Sequence, residues 1–323
     1  MVSNQSGYAT IDNTLKLITV EIPAGVDLTE VSIVIFEIST FAQADVSVGD
    51  KLDLSDDATI LVTAEDGTIH NWTVKSFVAS ATPQLDNWDL NEWYKTSSGY
   101  FEPGADAATT IWRTGNPGTQ ILNKLATIPY DMGSGNLAAH LETLDNGKLA
   151  GTFGAPISAG SIYTGVFDSE KIDPSNPQAA IDFGTPFVGR PIKIQFKYSY
   201  QPGDVNKDKQ GNVLSYGDAC DIYVLLEVRL GGKTERLATA WFRSDQTQDE
   251  LTNKEVVFTY GELDDNFPEY MFPLDHGFVS ADSAQFILPT HITFVASSSF
   301  DGANFAGAIG SKLIIDDIVM VYE

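Results

Sequence analysis

Residues 313–322 constrain the fold of this chain more than any other segment. Apolar side chains occupy both parities of the segment: Leu313, Ile315, Val319 and Val321 on one, and Ile314, Ile318, Met320 and Tyr322 on the other. Because successive side chains of a strand point to opposite faces, the pattern predicts a strand inside a sheet with both faces covered. A buried final strand of this kind closes a β-sandwich.

Length and composition favour two all-β domains. The chain has 323 residues, which is more than one ordinary sandwich needs and enough for two separate cores. Its 27 glycines and 14 prolines interrupt any long helical pattern. We place the boundary in the small-residue stretch of residues 78–83, because the sequence becomes Trp-rich directly after it. The predicted domains are residues 1–79 and 84–323.

The first domain is predicted from short strands that end in a hairpin. Asp66-Gly67 separates two alternating segments, residues 60–64 and 69–74, and Asp-Gly tolerates the positive φ angles of a type I′ turn. Residues 62–67 followed by Trp72-Thr73-Val74 resemble the last two strands of immunoglobulin-like modules of bacterial surface proteins. The resemblance implies an immunoglobulin-like sandwich.

The second domain is predicted to be a jelly-roll-like β-sandwich of eight strands. Asn146-Gly147 indicates a second type I′ hairpin turn. The predicted strands lie near residues 136–145, 147–153, 191–200, 220–229, 235–243, 255–260, 290–297 and 312–322.

Charge and cysteine content exclude several classes of function. A formal net charge of −25 and a pI near 4.3 would repel nucleic acid and anionic membrane surfaces, but not neutral glycans. The single cysteine, Cys220, excludes an intrachain disulfide, and the four histidines show no zinc-ligand spacing. We find no Gly-x-Ser-x-Gly, phosphate-loop or His-Glu-x-x-His motif.

The sequence contains no apolar run near the ~20 residues that a membrane span needs. It also shows no charged-then-apolar signal segment before Val2. We expect that an export signal was removed ahead of this sequence, although a cytoplasmic protein would begin in the same way.

Several segments of the second domain together resemble the putative carbohydrate metabolism domain family of Bacteroidetes surface proteins. The resemblance covers about residues 84–323, and the order of the segments carries it. In chain order they are Asp86-Asn87-Trp88, residues 111–117 (IWRTGNP), 136–143 (NLAAHLET), 159–165 (AGSIYTG), 183–187 (FGTPF) with Arg190-Pro191, 196–200 (FKYSY), Asp221-Ile222-Tyr223 and the Gly310-Ser311 strand.

This resemblance implies a jelly-roll-like sandwich on an exported protein. The implied location is the cell surface, as an outer-membrane lipoprotein whose lipid anchor lies outside this sequence, or the periplasm. The implied role is recognition or processing of glycan. The family carries no established catalytic residues that could be transferred to positions in this chain.

Candidate sugar-binding residues combine flat rings with hydrogen-bonding side chains, because sugars offer C–H faces and hydroxyls. Trp112, Tyr198 and Tyr200 are the predicted stacking platform, although the same residue types also fill sandwich cores. The full set of predicted substrate-binding residues is Trp112, Arg113, Asn116, Tyr198, Tyr200 and Trp241.

Glycoside hydrolysis would need two carboxyl groups roughly 5 to 9 Å apart, one of them kept protonated by an apolar setting. The weak candidates are acidic residues close to aromatic or apolar segments: Asp218, Asp221, Glu227 and Glu142. Asp221 and Glu227 share a strand and would lie about 20 Å apart, so a pair must come from different strands.

No cofactor is required by these patterns, but two segments could hold a structural calcium ion. Asp204, Asn206 and Asp208 place oxygen ligands at alternate positions, although Lys209 and Ser215 break the remainder of a calcium-loop pattern. Asp316 and Asp317 in the final strand are the second candidate, with a hydrogen bond to a neighbouring loop as the alternative.

Three hypotheses follow from the sequence. The first is an exported protein that binds glycan through the second domain, with the first domain as a spacer. The second is a glycoside hydrolase that uses two cross-strand carboxylates, so whether the chain is an enzyme stays open. The third is a structural or adhesion subunit without a glycan site, which burial of Trp112, Tyr198 and Tyr200 would favour.

Overall fold

The computed structural model describes residues 1–322 except 6–7, 14–15, 24–25, 80–81, 153, 172–176, 231 and 285–286. Two residues of the predicted inter-domain stretch, 80–81, therefore lie outside the described residues. The chain divides into two compact units, Met1–Pro83 and Gln84–Glu323. Strands dominate both units, so the all-β fold class predicted from the sequence is confirmed. Among the described residues, no helix combines the length and the apolar character that a membrane crossing requires.

The first unit is a small β-sandwich. Its main sheet has the order β1-β2-β7-β6-β4, and a two-stranded ladder, β3-β5, contributes to the same core. β2 and β7 run parallel, and β6 and β7 form the predicted hairpin. The strands are β1 (Thr10–Asp12), β2 (Leu17–Pro23), β3 (Val31–Ser32), β4 (Gln43–Ala44), β5 (Lys51–Leu52), β6 (Ala58–Thr63) and β7 (Ile69–Ala79).

The hairpin turn differs from the predicted type I′ turn. A type I′ turn needs positive φ at both central residues, but only Gly67 has one, at +84°, and Asp66 does not. The Asp66 carboxylate instead accepts a hydrogen bond from the backbone N–H of Thr68 at 2.9 Å. Ala64 N–H donates to the Thr68 carbonyl, so the loop is longer than two residues.

The second unit is a sandwich of two large sheets. The first, here called the cleft sheet, has nine strands with the central order β10-β15-β25-β20-β21-β23 and with β16, β17 and β24 at its margins. The second, here called the back sheet, has the order β11-β12-β27-β18-β22. Buried apolar side chains from both sheets form one continuous core.

The bounds of these elements are as follows. The cleft sheet contains β10 (Trp112–Thr114), β15 (Ser161–Phe167), β16 (Ile181–Phe183), β17 (Thr185–Pro186), β20 (Cys220–Leu230), β21 (Lys233–Ser244), β23 (Thr259–Tyr260), β24 (Gly277–Phe278) and β25 (His291–Ser297). The back sheet contains β11 (Thr127–Gly133), β12 (Asn136–Glu142), β18 (Lys193–Gln201), β22 (Gln248–Val257) and β27 (Lys312–Val321). Short ladders pair β8 (Trp93–Lys95) with β9 (Phe101–Pro103), β13 (Leu144–Asp145) with β14 (Ile157–Ser158), and β19 (Asn206–Lys207) with β26 (Gly307–Ala308). The α-helices are α1 (Asn116–Gln120), α2 (Gly147–Thr152) and α3 (Ala281–Ala284), and 3-10 helices span Ser169–Lys171, Pro177–Ala180, Glu269–Met271 and Gly302–Asn304.

The predicted strand at residues 147–153 is wrong over residues 147–152, and residue 153 lies outside the described residues. Gly147–Thr152 forms α2, and the preceding strand of the chain ends at Asp145. The Asp145 carboxylate accepts a hydrogen bond from Gly147 N–H at 2.7 Å, which turns the chain into a helix rather than a hairpin. The Asn-Gly pair therefore marks a turn, but not the type that was predicted.

The segment that most constrains the fold is the central strand of the back sheet. β27 pairs with β12 on one side and with β18 on the other. Its facing pattern is not the simple alternation of the sequence. Leu313 and Ile315 are buried, and beyond Asp316-Asp317 the buried positions become Ile318 and Met320.

A β-bulge at Asp317 switches the facing of β27. Lys197 pairs with Asp316 whereas Gln195 pairs with Val319, so two residues of β27 lie opposite one residue of β18. Asp317 adopts φ +50°, and the backbone N–H of Ile318 donates to the Trp88 carbonyl at 2.8 Å. The bulge keeps the larger apolar side chains in the core on both sides of two acidic residues.

The bulge predicts a difference between two substitutions at one position. Asp317→Val and Asp317→Gly both remove the ion pair with Lys197, at 2.5 Å, but only glycine accepts φ +50° without strain. We expect Asp317→Val to have a free energy of unfolding about 1–3 kcal/mol lower than that of Asp317→Gly, measured by denaturant titration. Equal unfolding midpoints would show that the backbone at Asp317 is not strained.

Candidate functional site

A large cleft lies on the outer face of the cleft sheet. Its volume is about 1420 Å³, and its lining comes from residues 114–305 of the second unit. Register places five side chains in one row across five neighbouring strands. In spatial order the row is Arg113, Tyr163, Val295, Tyr223 and Trp241.

Strand alternation explains why this face carries aromatic and polar groups. On β20 the even-numbered residues Ile222, Val224 and Leu226 are buried in the core. The odd-numbered Asp221 and Tyr223 therefore point to the cleft, which they both line. The same alternation on β15 sends Ile162 to the core and places Tyr163 in the cleft.

Rings and apolar side chains also form the walls of the cleft. The half-buried rings of Phe167, Phe183, Phe300 and Phe305 and the exposed ring of Tyr270 line it. Phe305 adopts φ +57°, a conformation that is unfavourable for a bulky residue and therefore requires support from its surroundings. The result is an open, aromatic cavity with polar groups at its floor.

Asp221 ties one wall of the cleft to its floor. The carboxylate is 3% exposed and accepts hydrogen bonds from Trp241 Nε1 at 2.9 Å, Arg243 Nε at 3.3 Å and Tyr270 Oη at 2.8 Å. Arg243 also stacks on Phe300, with its Cζ 3.9 Å from the ring centroid. Burial raises the pKa of Asp221, and the nearby Arg243 charge opposes that rise. These contacts fix the Tyr270 ring at the rim of the cleft. A catalytic role for Asp221 stays a prediction.

Asp218 holds the loop of residues 298–311, part of which forms the opposite wall. It is buried, and its Oδ2 accepts from Ser299 Oγ at 2.5 Å, Ser311 Oγ at 2.7 Å and Ala308 N–H at 2.8 Å. Oδ1 accepts from the backbone N–H of Ala219 at 2.9 Å. Burial raises the pKa of this carboxyl, and the four donors oppose that rise. Asp218 therefore has a structural role, and a catalytic role for it stays a prediction.

The network extends from Asp218 to the back sheet. Thr143 Oγ1 lies 2.6 Å from Ser299 Oγ and 2.7 Å from Ser298 Oγ. Ser298 Oγ accepts from Gly160 N–H at 3.0 Å, and the Ser298 carbonyl accepts from Tyr200 Oη at 3.2 Å. These buried hydrogen bonds connect the cleft wall to both sheets.

Glu227 belongs to a separate buried ionic cluster. Its carboxylate accepts from Arg229 Nε at 3.0 Å and lies 3.4 Å from the Arg236 guanidinium. Burial lowers the pKa of Arg236, and the Glu227 charge opposes that effect. Glu227 is thus a paired carboxylate with a structural role, and a catalytic role for it stays a prediction.

A smaller cavity of about 450 Å³ adjoins the cleft and shares Pro117 and Phe167 with it. Glu102 lines this cavity, is only 2% exposed, and its Oε2 has no hydrogen-bond partner among the described residues. Burial raises the pKa of Glu102 to about 8, against the opposing effects of Arg113 and Thr114. This carboxyl is therefore predominantly protonated at neutral pH.

Three of the predicted sugar-binding residues lie in the interior. Trp112 is 0% exposed and donates its Nε1–H to the Asp86 carbonyl at 2.7 Å, and its ring packs on Phe294. Tyr200 is 1% exposed within the core, and its hydroxyl donates to Ser298. Buried Asn116 exchanges two hydrogen bonds with the Thr127 backbone. None of the three presents a surface to the cleft in this structure, and a sugar-binding role for them stays a prediction.

The other predicted residues fall into different places. Tyr198 is half-buried on the back sheet, where it packs edge-on against Phe242 at 5.1 Å, away from the cleft. Glu142 is also on the back sheet, 3.8 Å from the His140 ring. Neither lines the cleft, so the platform of Trp112, Tyr198 and Tyr200 is not formed. Arg113 and Trp241 lie in the row across the cleft sheet. Arg113 lines a smaller neighbouring cavity, and Trp241 is not among the described residues that line the cleft.

The predicted calcium ligands are not gathered into one carboxylate cluster. Asp208 accepts hydrogen bonds from the backbone of Gln210 and Asn212 within its own turn, whereas Asp204 is exposed. Asn206 is buried, and its amide donates to the Tyr216 carbonyl at 3.3 Å. Over the part of the chain that the structure describes, no group of three His, Cys, Asp or Glu residues could hold a metal ion. A structural calcium stays a prediction.

At the second predicted position, Asp316 accepts hydrogen bonds from Asp317 N–H at 2.8 Å and from Asn136 Nδ2 at 3.4 Å. The Asp317 carboxylate pairs with Lys197. Asn136 and Lys197 belong to the neighbouring strands β12 and β18 rather than to a loop, and a calcium ion at this position stays a prediction.

Sequence reasoning missed Glu102, Tyr163, Tyr223 and Tyr270 as site residues. Tyr223 shares its parity with Asp221 on an otherwise apolar strand, so the signal was present but ambiguous. Glu102 lies on the three-residue strand β9, which is too short to show a pattern. Tyr270 lies in a 3-10 turn whose contact with Asp221 spans 49 residues.

Two family models match the chain. The model described as putative carbohydrate metabolism domain matches residues 84–321, and the model described as SGBP, N-terminal, matches residues 2–75. The comparison with curated proteins gives no significant match.

Two solved structures share the fold. A putative glycoside hydrolase from Bacteroides thetaiotaomicron VPI-5482 is 22% identical with a TM-score of 0.58, and the alignment covers 100% of this chain and 95% of that chain. A putative glycoside hydrolase from Bacteroides vulgatus ATCC 8482 is 24% identical with a TM-score of 0.57. The alignment covers 73% of this chain and 97% of that chain. At these identities the likeness concerns the fold alone.

The Asp218 network predicts a strong effect of a small substitution. In Asp218→Asn either orientation of the amide sets its NH₂ group against a backbone N–H, from Ala219 or from Ala308. We expect the free energy of unfolding to fall by about 2–4 kcal/mol, because a charged buried acceptor is lost and a donor is left unpaired. Asp249→Asn, at an exposed position, is the matched control and should change stability by under about 0.5 kcal/mol. A loss no larger than that of the control would contradict the role of Asp218.

Glu102 predicts a pH dependence of stability. Its folded pKa, about 8, is above the ordinary value of 4.5, so the folded state holds the proton more strongly than the unfolded state. The stabilising effect is complete below pH about 4.5 and is lost as the pH rises to about 8. Between these two pH values the free energy of unfolding of the wild type should fall by up to about 5 kcal/mol more than that of Glu102→Gln. Denaturant unfolding of both proteins across the pH range measures the difference. Parallel pH profiles of the two proteins would show that Glu102 is ionised in the fold.

Proposed function

Through residues 84–321 the chain belongs to the putative carbohydrate metabolism domain family, and we propose that it binds glycan in the cleft of its second unit. The observation that carries the proposal is the row of Tyr163, Tyr223 and Trp241 across the cleft sheet. Tyr163 and Tyr223 line the cleft, and Trp241 lies beside Tyr223 in register. Tyr223 and Trp241 are half-buried, whereas Tyr163 is 2% exposed. Rings at the floor of a cavity suit the C–H faces of sugar rings.

The polar groups around the row match the second requirement of sugar recognition. Tyr223 lies next to Trp241 in register, and Ser297 and Asn304 also line the cleft. The Tyr163 hydroxyl is buried and has no hydrogen-bond partner among the described residues. A sugar hydroxyl could satisfy this group, which otherwise carries an unfavourable desolvation energy of about 1–3 kcal/mol.

The size of the cleft favours an extended ligand. Its volume of about 1420 Å³ exceeds the range of roughly 300–1,000 Å³ that is usual for sites of small ligands. Exposed apolar side chains at its rim, Ile121, Leu149 and Leu274, would extend the contact surface. We infer an oligosaccharide segment of a longer glycan rather than a single sugar.

The match of the first unit to an SGBP N-terminal model supports a surface role. SGBP denotes surface glycan-binding proteins. We propose that the first unit is a spacer, and that the protein is exported to the cell surface as an outer-membrane lipoprotein, or to the periplasm, within a polysaccharide-utilisation or surface-glycan system. Its partner would be a polysaccharide.

A glycoside hydrolase is the second candidate function. The observation that favours it is the buried, predominantly protonated carboxyl of Glu102, which has the character of a general acid. Both similar structures also carry the name putative glycoside hydrolase. Against it, the acidic residues that line the cleft in the described part of the chain are Asp221, Glu269 and Asp301, and Asp221 is saturated by donors. The third hypothesis, a structural subunit, gains from the burial of Trp112 and Tyr200, but the cleft supplies other rings.

Glycan-array binding with calcium present, paired with reducing-sugar assays on the polysaccharides that bind, tests the proposal. We expect binding without product release. Tyr223→Ala should weaken binding by about tenfold or more, because it removes a stacking ring from the centre of the row. Tyr130→Ala, an exposed tyrosine on the back sheet, is the matched control and should bind as the wild type does.

The other outcomes are equally informative. Release of reducing ends would establish the hydrolase instead, and silence in both assays would favour the structural subunit. Equal binding by Tyr223→Ala and Tyr130→Ala would place the glycan site outside the cleft.

A further inference from the structure

The smaller cavity beside the cleft contains a combination of charges that is unusual in this chain. The chain has 44 acidic residues against 19 lysines and arginines. Nevertheless, Lys95 and Arg113 both line this cavity, and Glu102 is the acidic residue that the structure describes in its lining. Two cationic side chains therefore share the lining with one carboxyl, whose pKa burial raises to about 8, and this combination favours an anionic ligand.

Arg113 is held in a fixed orientation by backbone carbonyls. Its Nη1 donates to the backbone carbonyls of Trp112 at 2.7 Å and Thr110 at 3.3 Å, which hold the guanidinium in place. Within the described residues it forms no ion pair, whereas Arg229, Arg236 and Arg243 each pair with a carboxylate. A fixed guanidinium with free N–H groups is suited to bidentate contact with an anion.

The second observation is a pair of unpartnered oxygen atoms. Glu102 Oε2 and Tyr163 Oη are both in residues about 2% exposed, and neither has a hydrogen-bond partner among the described residues. Buried polar atoms without partners are rare in native proteins, and a ligand at the site would supply the missing hydrogen bonds. Arg113, which lines the smaller cavity, and Tyr163, which lines the cleft, are direct neighbours in register.

We propose that the smaller cavity is a subsite for a carboxylate-bearing sugar, a uronic acid unit of the glycan, held by Arg113 and Glu102. The guanidinium pairs with the sugar carboxylate, and the neutral Glu102 carboxyl donates a hydrogen bond to it. Tyr94 and Tyr100 are half-buried in the same lining and place two aromatic side chains next to the sugar. The volume of about 450 Å³ suits one or two sugar rings.

This inference rests on the proposed function and specifies the class of glycan. Long-range repulsion by the net charge of −25 does not oppose it at contact, because salt screens charges beyond roughly 8 Å at physiological ionic strength. A half-buried, oriented arginine acts within that distance.

The test compares charged and uncharged forms of the same sugars. Methyl β-D-glucuronide and methyl α-D-galacturonide are titrated against the full chain by ligand-observed NMR, beside methyl β-D-glucoside and methyl α-D-galactoside, at up to about 10 mM. We expect at least one uronide to bind about tenfold more tightly than its neutral counterpart. Equal affinities, or no uronide binding at this concentration, would overturn the proposal.

Variants assign the preference to this cavity. Arg113→Gln should abolish it, whereas Arg190→Gln should keep it, because Arg190 also contacts a backbone carbonyl and a ring but does not line the cavity. Arg113→Lys keeps the charge without the planar fork and should retain part of the preference, which covers the case in which Arg113→Gln fails to fold. Full preference in a folded Arg113→Gln variant would contradict the role of Arg113.

The role of Glu102 has its own readout. Uronide affinity of the wild type should fall as the pH rises through about 8, because the carboxyl loses its proton and then repels the sugar carboxylate. In Glu102→Gln, which stays neutral and can donate, the affinity should not depend on pH in this range. Identical pH profiles would remove Glu102 from the site.

Failure of this inference is distinguishable from failure of the proposed function. Loss of polysaccharide binding in Tyr223→Ala, together with equal affinity for uronides and neutral glycosides, would keep the cleft as a glycan site and reject the acidic subsite. If uronide preference depends on Arg113 but Tyr223→Ala leaves polysaccharide binding unaffected, the acidic subsite is kept and the cleft is rejected as the glycan site.

Discussion

The structure of the second unit depends on one buried carboxylate. Asp218 collects two backbone N–H groups and two serine hydroxyls in the interior, at the point where β20 begins and the loop of residues 298–311 returns. A charge removed from water is tolerated there because every oxygen has donors. Since Thr143 and Ser298 continue the network to the back sheet, the loop that forms a cleft wall is joined to both layers of the sandwich. The loop also packs closely against the chain next to β15, because a Cβ on Gly302 would overlap the side chain of Ala159.

The cleft is a consequence of sheet register on this anchored frame. Alternation on β15, β20 and β21 puts aliphatic side chains inside and tyrosine, tryptophan, aspartate and arginine outside, in line across the strands. Asp221 then attaches the Tyr270 turn to the floor through charge-assisted hydrogen bonds. A rigid floor with tethered walls reduces the entropy that a flexible ligand site would lose on binding.

Local patterns were enough to predict the fold class, whereas the site required long-range information. The alternation in residues 220–229, 235–243 and 313–322 identified three strands of the sandwich, because periodicity is local. The predicted facing of the β27 side chains beyond Asp317 was wrong. The bulge depends on the pairing of β27 with β18, and the alternation of residue types in the sequence does not reveal it. Trp112 and Tyr200 were chosen for ring chemistry, but burial depends on which sheet face meets the core. Tyr163 joins Tyr223 only through β25, and no spacing in the sequence reports that juxtaposition.

The position of β27 in its sheet has a consequence for the order of assembly. β27 follows every other strand of the back sheet in the chain, yet it lies at the centre, between β12 and β18. Its partners are separated from it by more than a hundred residues, and such non-local pairing slows folding. Until β27 inserts, β12 and β18 present unpaired edges that can recruit other chains. If β27 pairs late, the partly folded second unit is therefore prone to self-association.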